Sequence, residues 1–106
     1  MVITISGSMK YRDEMIKLQE ELTLKYGWTI LLPSIINKNK EEITKEENKR
    51  LLEAHYRKID ISDKVIIFDK DGYVGNNTKK EISYCNKKGK PILWFSMLND
   101  YNDLKR

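Results

Sequence analysis

Apolar residues in this chain alternate between short β-branched runs and longer stretches with helical spacing. Val2-Ile3-Thr4-Ile5-Ser6 is short and closes on Gly7-Ser8, the pattern of a buried strand ending in a tight turn. Met15, Leu18, Leu22 and Tyr26 then recur every three or four residues with charges on the other face, and Gly27 supplies a stop, which predicts a helix. Trp28-Thr29-Ile30-Leu31-Leu32 reads as a second strand halted by Pro33. The pattern is lost from Ser34 to Glu42, around Asn37-Lys38-Asn39-Lys40, which predicts a surface loop, either a solvated connector or a flap. Helical periodicity returns from Ile43 to about Ile61 through Leu51, Leu52, His55 and Ile59. Ser62-Asp63-Lys64 turns the chain into Val65-Ile66-Ile67-Phe68, the most apolar run and the third strand. A short third helix carries Ile82 and Cys85 and stops at Gly89; Pro91-Ile92-Leu93-Trp94-Phe95 is the fourth strand, and the residues to Arg106 form a tail or a last helical turn.

Strands joined through helices demand parallel pairing and right-handed crossovers. The expected fold is therefore α/β: a single domain spanning residues 1–106, a small Rossmann-like (flavodoxin-like) three-layer sandwich with strand order 2-1-3-4. In that order the connection reverses between strands 1 and 3, and ligands of open α/β sheets bind outside the carboxyl ends at such a switch point. Two loops should converge there, Gly7-Ser8-Met9 after strand 1 and Asp69 to Thr78 after strand 3.

Composition narrows the partners. Lys and Arg number 20 against 16 Asp and Glu, a net +4 spread along the chain, which either suits a phosphate-bearing small ligand or reflects a Lys-rich sequence alone. No basic block invites a nucleic-acid polymer, and no apolar run approaches the ~18 residues of a membrane span. Cys85 is the single cysteine, so no disulfide framework or cysteine-based zinc site is expected; with no signal-peptide pattern at the start, the expected compartment is the cytoplasm.

The chemistry-bearing residues crowd the loop after strand 3. Asp69, Asp71, Gly72, Tyr73, Gly75, Asn77 and Thr78 surround what should be a helix N-terminus, where free backbone N–H groups favour an anionic or sugar-bearing ligand. Thr78-Lys79-Lys80-Glu81 fits a capping box, with Thr78 as the cap; Glu81 is alternatively a carboxylate turned towards the pocket, able to attack or stabilise an electron-poor sugar carbon. His55 is either a hydrogen-bonded core residue or an acid–base group, and Asp60 either pairs with Lys58 or Lys64 in solvent or assists the chemistry. Tyr73 either packs over the sheet edge or stacks on a base. Asp69 and Asp71 orient a hydroxyl or form a weak cation site, so no metal and no cofactor is expected. Gly7 stands alone where a dinucleotide fingerprint would need G-x-G-x-x-G.

Gly7-Ser8 after strand 1, Asp63 before strand 3, and Gly-Tyr-Val-Gly-Asn-Asn-Thr-x-x-Glu-Ile-x-Tyr-Cys followed by Gly89-Lys90-Pro91-Ile92 together resemble the nucleoside 2-deoxyribosyltransferase superfamily. Within it they are most similar to short bacterial and phage members that share His-x-x-Lys-Ile-Asp-x-Ser-Asp, here His55 to Asp63. The resemblance implies cleavage or transfer of the N-glycosidic bond of a nucleoside or nucleoside 5′-monophosphate. It makes Glu81 the nucleophile, places the Gly75–Thr78 loop on the sugar hydroxyls or the 5′-phosphate and sets Ser8 beside the base; the reading that follows gives leaving-base assistance to His55 or Asp60 and has Gly7, Ser8, Met9 and the Gly72–Thr78 loop hold the nucleotide. His55 stands where the family carries an acid, and Lys79 and Asn77 where it carries small residues. The alternative is a non-catalytic nucleotide-binding or sensing module. A homo-oligomer, most simply a dimer, is also implied, with Tyr56, Tyr84, Trp94, Phe95, Met97, Leu98 and Tyr101 as interface material.

Overall fold

In the computed structural model, residues 1–105 are described and form a four-stranded parallel sheet in the order β2-β1-β3-β4, with helices on both faces. The elements run β1 (Val2–Gly7), α1 (Arg12–Tyr26), β2 (Thr29–Leu31), α2 (Lys45–Asp60), β3 (Lys64–Phe68), α3 (Asn76–Lys88) and β4 (Ile92–Trp94). This is the small Rossmann-like sandwich that the alternation of strand and helix patterns predicts. β1 and β3 pair in register from Ile3 opposite Lys64 to Gly7 opposite Phe68, so the two central strands end side by side at the switch point.

The pleat sorts β1 into two chemistries. Ile3 and Ile5 join Met15, Leu18 and Leu22 of α1, Trp28, Ile30, Ile66 and Phe68 in one apolar layer. The alternate residues Thr4 and Ser6, both fully buried, face the layer made by α2 and α3, where Ile59, Val65, Ile67 and Cys85 form the smaller core. A buried hydroxyl must be hydrogen-bonded. Thr4 donates to the Lys58 carbonyl at 3.0 Å and bonds the Ser62 hydroxyl, and Ser6 bonds His55.

The helix stops match the sequence pattern, since Gly27 and Gly89 both take left-handed backbone (φ 71° and 69°) just past α1 and α3. The starts differ. The second helix begins at Lys45 rather than Ile43, with Thr44 as its cap, and the Ser34–Glu42 segment holds a 3₁₀ turn at Lys40–Glu42. A 3₁₀ turn at Met9–Tyr11 precedes α1, and Met9 lies within it. The tail is two further 3₁₀ turns, Phe95–Met97 and Tyr101–Lys105, and its Leu104 is completely buried. Phe95, Leu98 and Tyr101 pack against the α1-side core and Tyr56, Tyr84 and Trp94 against the other, so the subunit absorbs six of the seven groups expected as interface material. Met97 stays exposed. Among the described residues no helix is long and apolar enough to cross a membrane.

Candidate functional site

Convergence of the two loops follows directly from the β1–β3 register. Gly7 packs where any side chain would collide, since a Cβ there would lie 2.9 Å from Met15 Sδ and Phe68 Cβ. That close approach seats β1's end against β3 and aims Ser8 at the second loop, so that a Cβ on Gly75 would lie 3.9 Å from Ser8 Cβ. Ser8 caps the following 3₁₀ turn through the Lys10 N–H, 3.2 Å away.

The capping box read at Thr78 and Glu81 is not formed. α3 starts three residues earlier, with Gly75 rather than Thr78 as its N-cap, in extended backbone with no side-chain cap, and the Gly75 carbonyl taking the Lys79 N–H at 3.0 Å. The earlier start carries Thr78, Glu81 and Cys85 onto the buried stripe of the helix, which a capping glutamate at the solvent surface would forgo. It also brings Asn77 against Asn48 of α2, where the two amides exchange hydrogen bonds of 2.8 and 3.3 Å. The Thr-x-x-Glu box that does form is Thr44–Glu47 on α2, with its reciprocal bonds at 3.1 and 2.9 Å.

Behind the Ser8–Gly75 junction lies a buried polar cluster. Ser6 Oγ is 2.8 Å from His55 Nε2, and Glu81 Oε1 lies 3.7 Å from the same imidazole nitrogen. His55 and Glu81 are 3% and 7% exposed, so both charged forms lose solvation. Burial pushes the Glu81 carboxyl up to about 8, against the smaller opposing pull of the Ser6 hydroxyl and the Lys58 charge. Burial, then Lys58, pushes His55 down to about 4. Both shifts favour the uncharged pair, carboxylic acid beside neutral imidazole. Nδ1 of His55 is buried without a partner, so this is not a relay in which the acid orients the far ring nitrogen.

The other predicted residues are placed around this centre or away from it. Asp69 is occupied by the turn after β4, taking the Ser96 N–H at 2.8 Å and its hydroxyl at 2.6 Å. Asp71 takes left-handed backbone (φ 57°) beside Gly72 (φ 72°) and accepts from the Tyr11 hydroxyl at 3.4 Å. Tyr73 is exposed, edge-on to Tyr11 and capped by Lys10, whose ammonium lies 4.6 Å from its ring centre. Asp60 is exposed at the end of α2 and takes a 2.6 Å hydrogen bond from the Tyr84 hydroxyl, outside the Ser6–His55–Glu81 cluster.

Two participants escaped sequence reasoning. Ser6 was read only as the end of a strand, although a hydroxyl at alternate positions of a buried strand signals a polar partner across the layer. Lys58 was read only as a solvent partner of Asp60, although its spacing of three from His55 puts both on one helix face. Two surface hollows lie off the cluster: one of about 300 Å³ beside Tyr56, Lys80, Ser83, Tyr84 and Lys87, and one of about 340 Å³ between the Ser34–Glu42 segment and α2, lined by Ile36, Ile43, Arg50 and Leu51. No protein-family model, curated protein or solved structure matches this chain.

Proposed function

We propose that the chain cleaves or transfers the N-glycosidic bond of a nucleoside or nucleoside 5′-monophosphate, with the Ser6–His55–Glu81 cluster as the reacting centre. The observation that carries this reading is the buried juxtaposition of the Glu81 carboxyl and the His55 imidazole, with the Ser6 hydroxyl on the same ring nitrogen. Moving the carboxyl proton from Glu81 to His55 creates a carboxylate and an imidazolium 3.7 Å apart without changing the net charge of the site. The carboxylate then attacks the anomeric carbon as the bond to the base breaks; the base departs with the bonding electron pair and takes the imidazolium proton. Water or a second base displaces the glycosyl ester, and the cluster returns to its neutral form. Asp60 takes no part in this scheme. Uncapped N–H groups at the start of α3, with Ser8 and Tyr73 alongside, would hold the phosphate or sugar. A reducing compartment such as the cytoplasm suits both such substrates and the free, buried Cys85.

One observation favours the binding-module reading instead: Glu81 is nearly sealed and held protonated, which serves a structural carboxyl as well as a latent nucleophile. Incubation with a panel of nucleosides and 5′-monophosphates separates the two. Free base appearing with the wild type and not with Glu81→Gln supports catalysis, whereas saturable binding without free base supports the module.

A further inference from the structure

Lys58 is half-buried and bridges two parts of the molecule. Its backbone carbonyl lies 3.0 and 2.6 Å from the Thr4 and Ser62 hydroxyl oxygens, a cluster that bolts this turn of α2 to β1. Its ammonium reaches the other way, donating to the Leu32 carbonyl at 2.7 Å and to the Ser34 hydroxyl at 3.4 Å, where the chain leaves β2. From there the segment crosses α2 as a strap whose other fastening is Lys38, 2.8 Å from Glu47. Ile36 and Ile43 of the strap line the 340 Å³ hollow against α2. Lys58 also acts electrostatically on both Glu81 and His55.

We propose that Lys58 is a positioning residue that couples the strap after β2 to the Ser6–His55–Glu81 cluster, fastening the strap by hydrogen bonds and biasing the cluster by its charge. A half-buried ammonium spending its donors on a backbone carbonyl and a hydroxyl, with no carboxylate of the described residues at hydrogen-bond distance, keeps its positive field available to the cluster. Lifting the strap would rehydrate Lys58 and weaken that field, so strap opening and the state of the acid pair shift together. The groups acting on Glu81 are Ser6 from β1, His55, Tyr56 and Lys58 from α2, and Cys85 from its own helix. Lys58 is the cation among them at neutral pH, and its charge opposes the effect of burial on Glu81. The inference rests on the proposed function for its catalytic consequence alone; the coupling itself is read without substrate.

His55 is the chain's one histidine, so its imidazole signals report the cluster without assignment ambiguity. In Lys58→Met the His55 midpoint should rise from about 4, and the methyl signals of Ile36 and Ile43, which line the hollow under the strap, should shift as it loosens. Lys58→Arg should restore the midpoint. In the wild type, which avoids any folding defect, the Lys58 Cε signal should move as Glu81 ionises near pH 8. An unmoved Lys58 signal through that range, or a Lys58→Met protein with wild-type midpoint and wild-type Ile36 and Ile43 signals, overturns the coupling. Intact coupling in a protein that releases no base would instead remove the glycosidic reading and leave this one standing.

Discussion

The carboxyl group of Glu81 and the imidazole of His55 face each other across 3.7 Å, in a layer that gives each little water. Both pKa displacements have burial as their main cause and run in opposite directions, which yields a stability profile of a particular shape. Glu81, raised from 4.5 to about 8, keeps its proton in the folded state where the unfolded chain has released it, so stability falls as pH rises from about 4.5 to about 8. His55, lowered from 6.5 to about 4, stays neutral in the folded state where the unfolded chain takes a proton, so stability falls as pH drops from about 6.5 to about 4. Between about 4.5 and 6.5 the slopes oppose and nearly cancel. Thermal melts should therefore show a plateau in that interval and a decline on either side. Glu47, held down to about 2 chiefly by Lys38, steepens the acid side only. A melting temperature rising steadily from pH 5 to 9 would contradict the burial account of Glu81.

Replacing Glu81 by Gln keeps a neutral hydrogen-bonding group of the same shape. The variant should fold at pH 7 and gain stability relative to the wild type as pH is raised towards 9, because it has no charge to bury. Base release should fall by at least ~10²-fold, since the amide supplies neither nucleophile nor proton. Parallel melts and chromatographic assays on one preparation check both arms, and undiminished turnover would remove Glu81 from the mechanism.

Strand order and the position of the switch point were legible because β-branched runs alternate with helical periodicity, and parallel pairing then leaves few topologies. The cluster was only partly legible. His55 and Glu81 stood out as ionisable groups in helices, but their partner Ser6 lies far from both in sequence, and only the side-to-side alternation of β1 brings the three together. The chain carries Thr-x-x-Glu twice, and the local signature is the same at Thr44 and Thr78. What separates them is tertiary: Thr44 is solvent-exposed, while the second motif is turned inward by the α3 stripe and the Asn48–Asn77 pair. Local spacing carries no information about that choice.

The two motifs should accordingly respond differently to truncation. Thr44→Ala removes a side-chain cap and should cost about 1 kcal/mol, largely independent of what lies beneath α2. Asn48→Ala and Asn77→Ala each leave an amide without its partner across the α2–α3 seam and should cost about 1–2 kcal/mol. The double variant should cost less than the two single changes added together, because neither orphan remains. Urea denaturation of the four proteins measures the cycle, and strict additivity would show that the amide pair is not a coupled contact.

The start of α3 also decides which ligands should bind best. With Gly75 as N-cap and no side chain bonded to the first turn, the N–H groups of Asn76, Asn77 and Thr78 point towards the junction where Ser8 approaches, and the helix dipole adds positive potential there. Lys10, stacked over the exposed Tyr73 ring, stands close by with its ammonium at the loop. A 5′-phosphate would engage this end of the helix, and a nucleoside lacking it would not. Nucleoside 5′-monophosphates should therefore raise the melting temperature more than the matching nucleosides at equal concentration, with the difference shrinking as salt is added. Asp in place of Gly75 would bring its own carboxylate to the N-cap and compete for the same donors, so Gly75→Asp should erase the phosphate-dependent part of the shift while leaving the helix capped. Equal shifts for the two ligand classes in the wild type would mean that the helix terminus does not read phosphate, and the sugar and base would then carry the recognition.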